Sequence, residues 1–307
     1  MKGTNSVMQR SLMLQRPRSP LRYPGGKAKT AGTIRHYRPM RVQEFREPFA
    51  GGASMYFQTA YMFERAWLND MHEGLIAFYR ALRDRPEAFI AECRAISPQR
   101  PDDPLTERGV RGGKPKNARL KEVFDSVKLN DECDQALRYF LVNRMVHGSG
   151  RVNYAIPSRL YFSNPAGWNI VESDDLWRAA EALQGVRLTC GDYRVLLNEP
   201  GDDVWIYLDA PYVVNSYLTP TAQLYQHNFT IDDHRQFAAT VRNCKHNVLI
   251  SYDDDGDGLV RELFPRSDYW IEELGWMYAG TTEKKKRRGR ELLIANYEPP
   301  VLAVDRN

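Results

Sequence analysis

One run of sequence limits the fold more than any other: Val204-Trp205-Ile206-Tyr207-Leu208, followed by Asp209-Ala210-Pro211-Tyr212. A strand with one wet face alternates apolar and polar side chains. Here every residue up to Leu208 is apolar or aromatic, so both faces are expected to be covered. Strands of that kind belong to sheets flanked by helices, and open α/β sheets bind ligands in the crevice at the strands' carboxyl ends. Asp209 and Tyr212 would project there. The same residues would also suit an ordinary turn, because Asp and Pro are common turn formers, so the reading needs the rest of the chain.

The rest has the matching texture. Residues 41–49 predict a strand, "AGGAS" a glycine-rich turn and residues 55–64 an amphipathic helix; "RAWLND" predicts a second strand ending at Asp70, with a helix after it. This is a βαβ beginning. The pattern breaks near residue 84, where 97–120 is rich in Pro, Gly and charge, and only a short helix at 134–146 stands out up to about 170. It resumes with a helix and a strand ending near Asp192, then the 204–208 strand, then a helix with Thr230 at its N-cap. The strand "NVLISY" follows, and two last strands flank the basic run 283–290 as a hairpin. The expected organisation is a basic mobile tail over 1–19, a doubly wound α/β domain from 20–84 and 171–307, and an inserted segment over 85–170.

Composition excludes several classes. The chain has 307 residues, 42% hydrophobic and 27% charged, with no run near the ~20 apolar residues that cross a bilayer. The first twenty residues lack the apolar core and cleavage site of a signal peptide. Cys93, Cys133, Cys190 and Cys244 are scattered, which argues against a disulfide framework or zinc site and suits a reducing cytoplasm. No metal is expected. A net charge of +4 permits a nucleic-acid partner, and six basic residues in the eight positions 283–290 form either a solvated loop or a phosphate-tracking arm. Two motifs fail on inspection. "RYPGGKAKT" lacks the P-loop's first glycine, which would be Leu21, and has Ala28 where Ser or Thr should follow the lysine. "DDDGDG" at 253–258 lacks the twelfth-position Glu of an EF-hand, which is Phe264.

Four pieces occur in one order: "PLRYPGGK" (20–27), "FREPFAGGAS" (45–54), "LND" ending at Asp70, and, past the insertion, "LDAPY" ending at Tyr212. With "GDY" (191–193), "FLVNRMVHGSGRVN" (140–153) and "RGRELLIANY" (288–297), this order resembles the Dam-like, D12 class, alpha-group DNA adenine-N6 methyltransferases. Their catalytic tetrapeptide is Asp-Pro-Pro-Tyr, and their target-recognition domain lies between the cofactor and catalytic motifs. The resemblance implies a Rossmann-like fold with a mainly helical inserted recognition domain. It also implies S-adenosylmethionine as methyl donor, duplex DNA as partner, and a place in the cytoplasm of a bacterial or phage-infected cell, whether solitary or restriction-linked.

The chemistry accounts for the residue types. Adenine N6 is a poor nucleophile because its lone pair is delocalised into the ring. A site that accepts both N6 hydrogens, on the Asp209 carboxylate and the Ala210 carbonyl, favours a tetrahedral nitrogen aimed at a methyl group. Pro211 shapes the turn and Tyr212 would stack on a base flipped from the duplex. The Phe49–Gly52 loop, with Gly51, would bring backbone close to the cofactor, and Asp70 is placed to hold ribose hydroxyls. By the resemblance, Tyr23 and Lys27 would contact the methionine portion, Lys27 facing its carboxylate, while Asp192 and Tyr193 would line the adenine pocket, with Asp209 beside the cofactor. DNA contacts are expected at Asn143, Arg144 and Arg151 and at Lys284, Lys285, Lys286, Arg287 and Arg288.

The chain departs from the family pattern in three places. Ala210 replaces a proline, which keeps the carbonyl but adds an N–H and relaxes the turn. His72 stands where Asn is usual, and the Asn143-Arg144 segment is one residue short. Two rival readings follow: a DNA-binding module of the same fold with weakened transfer, for which Ala210 is the support, and the same fold acting on RNA or a protein amide.

Overall fold

The computed structural model describes residues 17–23, 27–95, 130–145, 165–211, 229–253, 258–277 and 288–300. Its centre is a seven-stranded sheet in the order β3-β2-β1-β4-β5-β7-β6. The strands are β1 (Glu44–Glu47), β2 (Arg65–Asp70), β3 (Arg187–Cys190), β4 (Val204–Leu208), β5 (Asn247–Asp253), β6 (Trp270–Met277) and β7 (Arg288–Ala295). β1 to β5 run parallel, and β7 lies antiparallel between β5 and β6. The predicted closing hairpin is therefore present. Strand order reverses between β1 and β4, so the carboxyl ends of these two neighbours frame the topological switch point of the sheet.

Helices cover both faces, which makes this the expected doubly wound α/β architecture. The β4 run explains itself in this setting. Trp205 and Tyr207 point into one apolar cluster with Phe45, Leu249 and Leu293, while Val204, Ile206 and Leu208 enter a second with Val248, Ile250 and Ile294. The first cluster is roofed by α1 (Ala31–Ile34), α2 (Ser54–Thr59), α3 (Glu73–Asp84), α4 (Pro86–Ala95), α5 (Glu132–Met145) and α6 (Asp175–Ala182). The second lies beneath α7 (Arg194–Asn198), α8 (Ile231–Asn243) and α9 (Leu259–Leu263). Among the described residues no helix is long and apolar enough to cross a membrane.

Local chemistry sets the boundaries. β1 is shorter than the predicted 41–49, because Pro48 has no N–H for the ladder and Gln43 N bonds instead to the Asp203 carbonyl at 2.9 Å. α2 stops at Thr59, whose hydroxyl donates to the Met55 carbonyl four residues back at 2.6 Å, and a 3₁₀ turn follows. α8 starts as predicted at Thr230, whose side chain accepts from Asp233 N while the Asp233 carboxylate accepts from Thr230 N, a reciprocal cap. His72 caps α3, its Nδ1 accepting from Leu75 N at 3.3 Å. Asn, expected at this place by the resemblance, is likewise a strong N-cap residue.

α4 and α5 both fall within 85–170, yet they pack on α3. Phe78 stacks on Phe140 with centroids 4.9 Å apart, and Phe89 contacts both rings. The described part of that segment thus belongs to the helical layer over the sheet. Its texture hid this, because the apolar residues of α5 bury against α3 rather than forming a core of their own.

At the opposite end of the sheet, β1 carries a buried cation. Arg46 is 1% exposed. It donates to Glu44 at 2.6 Å and to the Leu196, Glu199 and Pro200 carbonyls at 2.7, 2.6 and 3.0 Å, fastening the α7–β4 connection to the sheet. Gly201 permits this approach, because a Cβ there would lie 2.6 Å from the guanidinium. Arg46→Met is expected to lower stability by about 3 kcal/mol, since the Leu196 and Pro200 carbonyls lose its donors, Glu199 keeps only His246 and Glu44 only the more distant Arg65. Urea denaturation would show it as a lower midpoint at an unchanged slope.

A buried carboxyl sits at the carboxyl end of the same strand. Glu47 Oε2 accepts from Tyr56 N at 3.0 Å, tying β1 to the start of α2. Burial holds its carboxyl well above the ordinary glutamate range, against the lowering effect of that amide, and the charges of Asp209 and Asp70 push the same way as burial. A carboxyl raised in the folded state keeps a proton that the unfolded chain has released, so stability falls as pH rises past the ordinary value. Glu47→Gln, which keeps the acceptor, should match wild type near pH 4. It should then become progressively more stable than wild type toward pH 8, by urea midpoints across that range.

Candidate active site at the carboxyl edge of the sheet

The glycine turn after β1 is built by close contact. Gly51 has φ +46°, a left-handed conformation that favours glycine, and a Cβ there would lie 2.8 Å from the Tyr23 ring. Tyr23 therefore lies directly on the turn. Ala53, also left-handed at φ 48°, leads into α2. Gly51 N donates to Asp70 Oδ2 at 2.9 Å, and His72 N donates to Oδ1 at 3.0 Å. Tyr79 closes the turn from below, its hydroxyl donating to the Gly51 carbonyl at 2.9 Å. Burial raises the Asp70 carboxyl and the surrounding backbone amides oppose the rise. Each carboxylate oxygen has lone pairs beyond the one these amides use, so Asp70 retains capacity for further donors.

Asn69, the residue before it, fastens three strand ends together. Its amide donates to the Pro48 and Gly191 carbonyls at 3.1 and 2.8 Å, and its carbonyl accepts from Thr189 Oγ1 at 2.8 Å. Beyond β3, Tyr193 and Phe49 face each other at 5.1 Å, with Phe237 5.7 Å from Tyr193 and Phe229 6.0 Å from Phe49. Asp192 turns to Arg194, accepting from its backbone N at 2.8 Å and its Nε at 2.9 Å, which holds the carboxyl below its usual range.

Asp209 directly follows β4 beside this loop. Lys27 Nζ lies 2.9 Å from Asp209 Oδ1 and 3.2 Å from Glu291 Oε1, with the lysine only 6% exposed. Burial alone would lower the Lys27 ammonium, but the charges and hydrogen bonds of Asp209 and Glu291 outweigh it and hold it above the ordinary lysine value. Glu291, on β7, is 4% exposed. Its Oε1 accepts from Ser251 Oγ at 2.5 Å, and Ser251 accepts from Tyr207 OH at 3.0 Å. Ala210 is 2% exposed and packs into the second apolar cluster, so the residue replacing the family's proline is seated in the core. Pro211 follows it, half-buried.

The predicted residues thus separate into groups. Tyr23, Gly51 and Asp70 meet at one loop, Phe49 and Tyr193 meet as an aromatic pair, and Lys27 meets Asp209. Asn143 and Arg144 have other partners. The Asn143 amide, 1% exposed, donates to the Arg22 carbonyl at 2.8 Å and accepts from Arg22 N at 2.9 Å. Arg22 donates to the Arg144 carbonyl at 3.2 Å and Arg144 to the Pro20 carbonyl at 3.3 Å. Burial, with the charge of Arg22, lowers Arg144 to about 10. These two residues grip the chain that leads to Tyr23. Tyr212, Arg151 and Lys284–Arg287 lie outside the described residues, and Arg288 begins β7 opposite Met277. Sequence reasoning passed over Glu47, Asn69, Ser251 and Glu291. For Asn69 and Glu291 the available signal was an amide or acid beside an apolar run, as in "WLND" and "RELLIA"; Glu47 and Ser251 had none.

Residues 23–280 match the D12 class N6 adenine-specific DNA methyltransferases. The type II methyltransferase M1.LlaDCHI of Lactococcus lactis subsp. cremoris is 23% identical over 307 residues, a match spanning 95% of this chain and 99% of its own. M.MjaIII of Methanocaldococcus jannaschii, also a type II methyltransferase, is 24% identical over 306 residues, 90% of this chain and 98% of its own. The DNA adenine methylase of Vibrio cholerae is 25% identical over 258 residues, 78% and 83%. The order of motifs, the reversal of strand order at β1 and β4, and a family match over most of the length agree: this chain belongs to the D12 class of N6 adenine-specific DNA methyltransferases.

Proposed function

We propose that the carboxyl edge of this sheet moves a methyl group from S-adenosylmethionine to N6 of an adenine turned out of duplex DNA, with Asp209 as the acceptor of an N6 hydrogen. One observation carries this assignment of roles: Asp209 directly follows β4 at the switch point, held 2.9 Å from Lys27, beside the loop of β1. The residues around that loop suit the donor. Asp70 offers oxygens to ribose hydroxyls, Phe49 and Tyr193 offer aromatic faces to a purine, and the Tyr23-backed glycine turn lets backbone approach closely. S-adenosylmethionine, when bound, supplies an electrophilic methyl on a sulfonium sulfur.

The protein's own residues supply alignment. Asp209 and the Ala210 carbonyl accept the two N6 hydrogens, which turns the N6 lone pair out of the ring plane. With the donor bound, that pair would form the new N–C bond as the C–S electrons pass to sulfur, and the proton lost from N6 would go to solvent. Tyr212 stacks on the flipped base. Lys27, placed between Asp209 and Glu291, is a partner of the acceptor carboxylate rather than solely of a cofactor carboxylate. Asp192, turned to Arg194, bounds the purine pocket. Recognition of DNA falls to residues of 85–170 other than α4 and α5, including Arg151, and to Lys284, Lys285, Lys286, Arg287 and Arg288, which neutralise phosphates. Asn143 and Arg144 act indirectly, by holding Arg22 and so Tyr23. The setting proposed is the cytoplasm of a bacterial or phage-infected cell.

Two measurements test these roles. With tritiated-methyl S-adenosylmethionine and mixed-sequence duplex DNA, digestion to nucleosides should recover the label as N6-methyladenosine. Asp209→Asn should slow transfer by roughly 10²–10³-fold while leaving cofactor affinity nearly unchanged; full activity in that variant would remove Asp209 from the reaction. Asp70→Ala should weaken S-adenosylmethionine binding by roughly 10–100-fold in calorimetry, because it removes the ribose acceptor and frees the Gly51 turn. Unchanged affinity would place the ribose elsewhere.

A further inference from the structure

The chain of hydrogen bonds behind Asp209 has a direction. Burial pushes the Tyr207 phenol well above its ordinary range, so it stays protonated and donates to Ser251. Ser251 then has its own proton to give, and gives it to Glu291 Oε1 at 2.5 Å. The same oxygen faces the Lys27 ammonium at 3.2 Å, and that ammonium reaches Asp209 at 2.9 Å. Three strands contribute: Tyr207 from β4, Ser251 from β5 and Glu291 from β7. Among the described residues, two carboxylates therefore share one ammonium. A Lys27–Asp209 pair by itself would be neutral, a weaker acceptor for N6 and a weaker partner for the positive charge N6 gains as the methyl bond forms.

We propose that Glu291 is a positioning residue for methyl transfer: held by Ser251 and Tyr207, it fixes the Lys27 ammonium beside Asp209 and draws part of that charge away, leaving Asp209 an effective acceptor. The inference rests on the reading of Asp209 given above. Among the described residues, the charged and titratable groups facing Glu291 and its partners are Lys27 from the segment before α1, Tyr207 from β4, Asp209 just after it, and Glu47 from β1. Burial raises the Glu291 carboxyl, with Lys27 opposing, so mild acid discharges Glu291 before an ordinary glutamate. Wild-type transfer should then fall on the acid side as Glu291 takes up its proton.

The test compares single-turnover methyl transfer to duplex DNA from pH 5.5 to 9 for wild type, Asp209→Asn, Glu291→Gln, Glu291→Asp and Ser251→Ala, with cofactor affinity by calorimetry. Glu291→Gln is expected to transfer roughly 10–100-fold more slowly, with cofactor affinity within about threefold of wild type and the acid limb of the profile flattened. Ser251→Ala, which keeps the charge but loosens it, should lose roughly 3–10-fold and keep the limb, and Glu291→Asp should recover part of the loss. A readout independent of activity is alkaline stability. Lys27 is raised in the folded state, so its contribution is lost as pH climbs past the ordinary lysine value. Glu291→Gln has less of it to lose, and its urea midpoint should decline less between pH 9.5 and 11 than that of wild type.

A Glu291→Gln rate and profile equal to wild type, with Asp209→Asn impaired, overturns the inference and leaves the function standing. A parallel loss of cofactor affinity overturns it too, by making Glu291 part of the cofactor site. If Glu291→Gln does not fold, a Ser251→Ala rate equal to wild type overturns it. No labelled adenine from wild type, or full activity in Asp209→Asn, fails the underlying reading instead.

Discussion

A parallel strand covered on both faces can hold polar side chains cheaply only at its ends, and that constraint shapes this protein. β4 buries Trp205 and Tyr207 on one side and Val204, Ile206 and Leu208 on the other. Asp209 is the first position where a carboxylate can leave the core. β1 and β2 likewise end in acids, Glu47 and Asp70, although β1 also buries Arg46 by pairing it fully. Because strand order reverses between β1 and β4, the polar ends collect at one crevice instead of spreading along the sheet edge.

Collecting acids there has an energetic cost. Burial raises Glu47, Asp70 and Glu291, and Lys27 is the buried ammonium set among them. A fold selected for stability alone would hold apolar residues at these positions, since buried charges are stabilising only with close, complete pairing. The pairing found is specific. Backbone amides serve Asp70 and Glu47, a serine and a lysine serve Glu291, and the lysine also serves Asp209. Each acid is held in one orientation, which is what a reaction driven by alignment needs.

Helix α5 is tied to the glycine turn that follows β1. α5 buries Phe140 on α3 and uses Asn143 to grip the backbone of Arg22, next to the Tyr23 that backs Gly51. The chain leaves α5 directly into residues 146–164, where the sequence places candidate DNA contacts. A displacement of α5 would therefore be felt at Tyr23 within one residue of its point of contact.

Much of this was legible before any coordinates. Strand β2 appears over the predicted residues, β4 is doubly buried as its unbroken apolar run required, and Thr230 caps α8 as its Thr-Ile-Asp-Asp start implied. Periodicity and capping are local, so local sequence reveals them. The motif order likewise singled out Asp209, Asp70 and the Gly51 turn, which the fold gathers at the carboxyl edge of the sheet. What the sequence could not disclose was pairing at long range. Asn143 meets Arg22 across 121 residues, and Lys27 meets Asp209 across 182. A pattern of apolar and polar residues says which face of an element is buried but not which side chain it will meet. Only strand order and register brought Glu291, Ser251 and Tyr207 behind one lysine, because partners across a sheet are chosen by the packing of the whole chain.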